Sequence, residues 1–393
     1  MQGGLHIKVL IVGGGIAGLT LADGLHRMGH SVTIVEKSAK LRTEGFMIDF
    51  FGPGYEVAEE MGLQNDLEKI HYPIESLKFL SPEGEEKFSL SYQSSIRRMF
   101  QGKHYNFMRG NLERLLYDRV KGHVDFLFGT TIQSFEQDAD HVNVTLSNGH
   151  SLPCDLLVGA DGIQSRTRSL TFGEDPSSLH FLGYYTAAFI LDKQGMDEKY
   201  RKSFYMLPRP NRQISVYPID EGRLATFFVY RSPRLEEPIT REVTARELRH
   251  HYGDLEWMVP ELLSMVETAS DLYFDEVSQV RLPKWTKGRV VLIGDACQAV
   301  SLIAGQGASM AMAGAWVLSR EIEKEPNLFA ALQNYEELMR PPIANIQQSA
   351  QKLAKWFVPE NHLTLWLQES MMRLAVLPPF RRFVNLNRTK LPK

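Results

Sequence analysis

Gly13, Gly15 and Gly18 stand in G-x-G-x-x-G spacing, and Glu36 closes the next apolar run. Residues of these types, so spaced, can capture an adenine dinucleotide. Gly13 permits a tight turn. Gly15 lets a pyrophosphate approach the backbone, where a side chain would block it. Gly18 lets a helix pack close to the preceding strand. That helix runs to about Arg27, and its N-terminus offers free N–H groups and a partial positive charge to the phosphates; Ile16 and Ala17, between the glycines, join the cofactor-binding candidates. Glu36 accepts hydrogen bonds from a ribose diol and repels a 2′-phosphate, so FAD or NAD fits better than NADP. Lys37 adjoins it and completes the cofactor-binding set of this segment.

Two more segments carry the same device. Residues 155–168 read as an apolar strand ending in Asp161-Gly162, with Ser165 and Arg168 following. An acid at the C-terminal end of a strand lies where open α/β sheets bind ligands; it also serves as a helix cap. Residues 289–295 read as a buried strand ending in Gly294-Asp295, followed by Gly305-Gln306-Gly307 and a small-residue helix over 308–318. A carboxylate there can bond polyol hydroxyls. The glycines let a helix N-terminus meet a flat ring, where its dipole stabilises negative charge, as a reduced isoalloxazine requires.

The elements that must position these residues follow from the apolar pattern. Runs 9–12 and 31–35 read as buried strands around the first helix. Residues 71–96 and 178–282 read as strands with turn punctuation, and 112–121 as a helix. From about Pro326 the chain turns helical, over 335–339 and 362–376, with Pro341, Pro342, Pro359, Pro378 and Pro379 breaking the helices. The fold class expected is α/β: a discontinuous Rossmann-like FAD-binding domain (1–70, 97–177 and 283–325), an inserted, mostly antiparallel substrate-binding sheet (71–96 and 178–282), and a C-terminal helical segment (326–393) bridging the two.

The 393 residues suffice for two domains, and the composition, 43% hydrophobic and 23% charged, is that of a globular protein. A net charge of −3 gives no footprint for nucleic acid. No apolar run approaches a membrane span, and the polar start leaves no room for a signal peptide. Cys154 and Cys297 form no C-x-x-C, which argues against a disulfide scaffold, a zinc site and flavin–disulfide chemistry. A cytoplasmic enzyme, monomer or weak homodimer, is expected.

Taken together, the three segments resemble those of the class A flavin-dependent aromatic monooxygenases, the para-hydroxybenzoate hydroxylase fold, over nearly the whole chain to about residue 325. The resemblance implies that Gly13, Gly15, Gly18 and Glu36 hold the ADP half of FAD, that Asp161 serves FAD and the nicotinamide cofactor, and that Gly294 and Asp295 hold the ribityl chain. In LRTEGFMID at 41–49 it places Arg42 against pyridine nucleotide and Asp49 near the flavin; in MRGNL at 108–112 it places Arg109 on FAD. The bland reading of both arginines is solvated surface. Many members carry a histidine three residues after the late Asp and prolines before the last glycines; here Gln298 and Ser301-Leu302 stand there.

The implied chemistry is reduction of FAD by transient NADPH or NADH, O2 addition to a flavin C4a-hydroperoxide, and transfer of one oxygen to an electron-rich substrate. Only one G-x-G-x-x-G is present, so nicotinamide is expected on shared surface. No general base stands out; His104, His180, His250 and His251 are candidates by type alone. The aromatics Phe181, Tyr184, Tyr185, Phe189, Phe204, Tyr205, Tyr217, Phe227, Phe228 and Tyr230 suit a flat polycyclic ligand and equally suit strands. Arg212, Gln213 and Phe228 are candidate substrate contacts. The 285–295 segment and the helical C-terminus are similar to tetracycline-inactivating and polyketide-tailoring monooxygenases. The C-terminal segment, Trp356-Phe-Val-Pro and then 363–377, is apolar on one face and reads as a helix packed across the domain junction or as a membrane-surface helix; packing is favoured, with no membrane partner. A flavin reductase or dehydrogenase of the same fold, and a non-catalytic flavin-binding protein, are the alternatives. The Trp-x-Trp-x-Ile element of the halogenases is absent.

Overall fold

The structure, a computed structural model, describes residues 6–41, 46–92, 102–192, 200–220, 222–301, 303, 305–375 and 391–392. Arg42 and Leu302 lie outside the described residues, as do Pro378 and Pro379.

Lys8–Val12 is buried from Val9 onward. A strand apolar on both faces must be covered on both, the habit of parallel sheets. It lies inside a six-stranded sheet in the order Thr286–Lys287, Val290–Leu292, Leu156–Gly159, Lys8–Val12, Ser31–Glu36, Asp125–Phe128, parallel except for the first pair. Val9 and Ile11 face a helical layer that includes Ile16–Arg27, Arg109–Val120, Gly307–Lys324 and Leu328–Phe357. Leu10 and Val12 face a three-stranded antiparallel sheet, Ile132–Gln137, Val142–Leu146 and Ser151–Cys154. Lys8–Val12 pairs forward with Ser31–Glu36 on one side and with the later Leu156–Gly159 on the other. The direction of winding reverses between those neighbours, so a crevice opens at the C-terminal ends of the strands.

The eight-stranded sheet runs Tyr273–Val280, Leu179–Ala188, Arg223–Arg231, Arg212–Pro218, Ser203–Arg209, Ser76–Leu80, Glu86–Ser91, with Ile190–Asp192 added against Arg223–Arg231. Neighbours are antiparallel except Ser203–Arg209 and Ser76–Leu80, which are parallel and join two distant stretches of chain. One face buries Ile214, Val216, Phe228 and Tyr230 under the helices Arg241–Tyr252 and Val259–Met265. These two helices correct the all-strand reading of 178–282. Val243, Thr244, Leu248 and Tyr252 recur at helical spacing and are buried.

Leu328–Phe357 is a single helix that runs through Pro341 and Pro342. The expectation that these prolines break it fails for a packing reason. An interior proline costs a hydrogen bond and a steric contact, about 3 kcal/mol. Here Leu332, Tyr335 and Met339 before the pair, and Ile343, Ile346 and Ala350 after it, are buried on the same core, and that burial offsets the loss. Pro359 does follow the helix end. No helix among the described residues is long and apolar enough to cross a membrane.

Candidate active site

The crevice holds a cavity of about 1720 Å3, more than the roughly 300–1,000 Å3 of a pocket for one small ligand. Its lining brings together Gly13, Gly15, Ile16, Ala17, Glu36, Lys37, Asp49, Arg109, Asp161, Asp295, Gly305 and Gly307. Gly18, Gly294 and Gln306 stand behind this wall. Gly18 abuts Gly13: a Cβ on it would lie 2.1 Å from the Gly13 carbonyl oxygen. Gly294 takes φ +56° against Ala17, and Gln306 precedes the first turn of Gly307–Lys324.

The fit to a dinucleotide rests on what these positions leave open. Gly13, at φ +114°, is required by the fold, because a Cβ there would lie 2.3 Å from the Ala160 carbonyl oxygen. Gly15 is not so constrained. A Cβ on it would meet only Glu113 Oε1 at 3.7 Å and Arg109 Nη2 at 3.9 Å, so the space it leaves belongs to the cavity. The helices Ile16–Arg27 and Gly307–Lys324 both begin at this cavity with no side-chain cap and no acidic residue in the first turn. Two sets of free N–H groups thus face one space, a setting for phosphates at the first and for negative charge on a ring at the second. Glu36 accepts from the Gly14 N–H (2.8 Å) and the Ser38 N–H (2.9 Å), and a carboxylate so held still has lone pairs for a ribose diol. Asp295 faces the cavity. Burial raises its pKa above the ordinary aspartate value, and the Arg109 cation partly opposes that rise.

Asp161 fulfils the helix-cap reading. Its Oδ2 accepts from Thr167 N–H (2.9 Å) and Oγ1 (3.0 Å), its Oδ1 from the Ser165 hydroxyl, and Ser165 caps Arg166–Phe172. Its carboxylate is engaged in shaping the loop that also lines the cavity. Buried Arg168 ties this loop to the third segment by donating to Ala296 O (3.0 Å) and Ile163 O (2.8 Å). Gln298 donates from Nε2 to the Tyr335 hydroxyl (2.7 Å), which donates to Leu292 O (3.0 Å). It anchors the strand end beneath Gly294-Asp295. Ser301 holds φ +102° on the same wall.

The second half of the cavity is apolar. Along the sheet, Phe79, Met206, Ser215 and Phe227 stand in one cross-strand row, and Leu77 and Phe204 in the next, where Phe204 stacks on Tyr217 at 5.0 Å. All of these line the cavity, with Trp356, Phe357, Gln368, Met371 and Met372 from the C-terminal helices. Of the aromatics singled out in 181–230, only Phe204, Tyr217 and Phe227 do so; the others belong to the core or to other faces.

None of the three substrate-contact candidates lines the cavity; for Phe228 and Arg212 the reason is that side chains alternate along a strand. Phe228 points opposite to Phe227 and packs edge-on against Tyr252 at 5.0 Å. Arg212 shares that far face, pairs with Asp254 (2.6 Å) and donates to the His251 carbonyl. Gln213, two residues before Ser215, is on the near face but is covered; its Nε2 lies 3.3 Å from Ser215 Oγ. Among the four histidine candidates only His104 reaches the cavity.

His104 belongs to a cluster that the sequence did not announce. Its Nε2 lies 3.0 Å from Asp49 Oδ1, and the Tyr92 hydroxyl lies 3.1 Å from that oxygen and 2.8 Å from Asn106 Oδ1. The strands Met47–Phe51 and His104–Met108 pair in register and bring these groups together. Burial alone would raise the Asp49 pKa; the hydrogen bond and charge of His104, with the Tyr92 hydroxyl, outweigh it and hold the carboxyl below its usual value. A depressed folded-state pKa contributes stability above the unfolded value, about 3.9, and that contribution is lost as pH falls through the folded value. His104→Leu is therefore expected to raise the Asp49 pKa, to lower stability at neutral pH and to flatten the loss of stability in acid, because the contribution that acid would remove is already gone; carboxyl NMR titration and melting temperature against pH read both. An unchanged Asp49 titration would contradict the pairing.

The chain matches the FAD binding domain family over residues 6–341. It is 34% identical to the flavin-dependent monooxygenase eupH of a Phoma species over 93% of this chain and 88% of that protein. Among solved structures, the tetracycline destructase Tet(55) superposes with a TM-score of 0.84 at 26% identity, covering 99% of both chains. HpxO of Klebsiella pneumoniae, solved with FAD and uric acid, superposes at 0.78 with 23% identity over 98% of this chain and 96% of that one, a likeness of fold. A wall of loops suited to a dinucleotide, continuous with an apolar chamber, is thus matched by relatives in sequence and in fold, and the chain belongs to the FAD-binding-domain family as a class A FAD-dependent monooxygenase.

Proposed function

We propose that the enzyme uses NADPH or NADH and O2 to hydroxylate a flat, hydroxylated aromatic or polyketide-like substrate. The observation that carries this reading is the continuity of one cavity from the glycine wall to the aromatic sheet face. Gly13, Gly15, Ile16 and Ala17 would take the pyrophosphate, with Gly18 packing the helix behind them, Glu36 and Lys37 the adenosine end, Arg109, Gly294 and Asp295 the middle of FAD, and the 305–307 turn its ring. FAD supplies the redox step: two electrons from the nicotinamide reduce O2, one oxygen atom enters the substrate and the other leaves as water.

The chain's own residues then have defined tasks. Phe204, Tyr217 and Phe227 receive the flat face of the substrate and, with Met371 and Met372, keep water from the reacting edge. Asp49, held as the anion by His104, can accept a proton at the boundary between the two halves of the cavity. The likeness to a tetracycline destructase supports a polycyclic substrate, and tetracyclines belong in the test set.

The test is a panel of phenols, hydroxyanthraquinones and tetracyclines assayed for stimulated NAD(P)H consumption under 18O2. Substrate-dependent consumption with one labelled oxygen in the product is expected. Consumption with a reduced, unlabelled product would identify a reductase of the same fold.

A further inference from the structure

We propose that Gln368 is a substrate-recognition residue whose carboxamide oxygen accepts a hydrogen bond from a hydroxyl group of the flat polycycle. The inference rests on the reading of the apolar chamber as the substrate site and goes beyond it to a selection rule. Gln368 lies in His362–Ala375, a helix packed against the strand Ser203–Arg209. It lines the cavity and is only 3% exposed.

Its amide orientation is fixed by chemistry. Nε2 donates to the Trp356 carbonyl (2.8 Å), and a carbonyl can only accept, so the nitrogen must face Trp356. The oxygen is left over; Oε1 has no hydrogen-bond partner and is itself covered, so a donor reaches it only when neighbouring side chains move. A buried acceptor without a donor is costly and uncommon. Met371 and Met372, three and four positions along the same helix, share this side of the cavity. Their unbranched side chains can yield to a ligand, which then supplies the missing donor.

The helix is held in place for this task. Glu369, next to Gln368, pairs with Lys87 on the strand Glu86–Ser91, and Asn361 Oδ1 accepts from Thr364 N–H (2.9 Å) at the helix start. The sheet opposite supplies Phe79, Met206 and Phe227 for the face of a flat ring system. An orphan acceptor in such a chamber selects for a hydroxyl or N–H and against a carboxylate or a bare ketone, which would set oxygen against oxygen. The ligand class is a flat polycycle bearing a free hydroxyl at its edge.

The experiment titrates FAD-loaded enzyme with 2,6-dihydroxyanthraquinone and with unsubstituted anthraquinone, reading the perturbation of flavin absorbance. Wild type is expected to prefer the dihydroxy probe by roughly tenfold, the size of one hydrogen bond to a buried acceptor. Gln368→Leu should bring the preference close to unity by weakening only the dihydroxy probe. Gln368→Asn, which keeps an amide but withdraws it by one methylene, should do the same and serves if the leucine variant fails to fold. FAD content and melting temperature check each variant. No preference in wild type, or a preference that survives both substitutions, overturns the proposal. Either result with retained FAD and NAD(P)H oxidation leaves the monooxygenase reading standing, whereas failure of substrate-stimulated oxidation with the whole panel would remove that reading.

Discussion

Gly15→Val is expected to yield a folded protein without FAD, while Gly18→Val is expected not to fold. Gly15 is the residue before the helix Ile16–Arg27 and Gly18 lies in its first turn, so the contrast between such near neighbours isolates their tasks. Gly15 has ordinary extended backbone, φ −84° and ψ −174°, which a β-branched residue adopts readily. The nearest side-chain atoms to an added Cβ are 3.7 and 3.9 Å away, so the protein itself has room for the side chain. What the valine would occupy is the space beside the free N–H groups of Ile16–Arg27. At Gly18 the obstruction is the Gly13 carbonyl oxygen, with Ile11 Cγ2 at 3.2 Å behind it. Backbone in the central strand turn cannot give way, and overpacking of this kind costs about 1–3 kcal/mol or more. Circular dichroism, a melting curve and the flavin spectrum read both outcomes. Full FAD occupancy in Gly15→Val would overturn the placement of the pyrophosphate.

Asp295→Asn is expected to move two quantities in opposite directions. FAD affinity should fall about tenfold to hundredfold, the loss of one charged hydrogen-bond acceptor at ~1.5–3 kcal/mol. The FAD-free protein should melt at a higher temperature. Partial desolvation raises the Asp295 pKa and Arg109 compensates only in part; the side chain opens on to the cavity and is exposed there, so its ionised form opposes folding weakly and the rise in melting temperature is small. For a carboxyl with a raised folded-state pKa that penalty is absent below the unfolded value, about 3.9, and grows as pH rises through the folded value. The stabilisation by asparagine should therefore be present at neutral pH and vanish in acid. A cofactor-free variant that melts below wild type at neutral pH would show that Asp295 supports the fold rather than its ligand.

Much of the cofactor half was legible because its signals are local. Glycine spacing, strand ends and the acid at Glu36 reside within short windows, and the crevice between Lys8–Val12 and Leu156–Gly159 follows from them. The Asp49–His104–Tyr92 cluster was not legible, since it depends on register between strands far apart in sequence. Phe228 was chosen over Phe227 because sequence shows that a strand alternates but not which parity faces the ligand; the helices Arg241–Tyr252 and Val259–Met265, read as strands, would have decided it. Pro341 and Pro342 misled because local chemistry forbids what the surrounding core supports.

The wall proposed to take the dinucleotide draws on residues 13–17, on Asp161 and on Asp295, Gly305 and Gly307. During synthesis the first of these leaves the ribosome long before the last. A nascent chain can complete its first βαβ turn early, yet the ring-side helix Gly307–Lys324 arrives only after some three quarters of the 393 residues have been made. On the proposed placement, coenzyme loading is a late event in biogenesis, and chains stalled or truncated before this helix should emerge uncoloured.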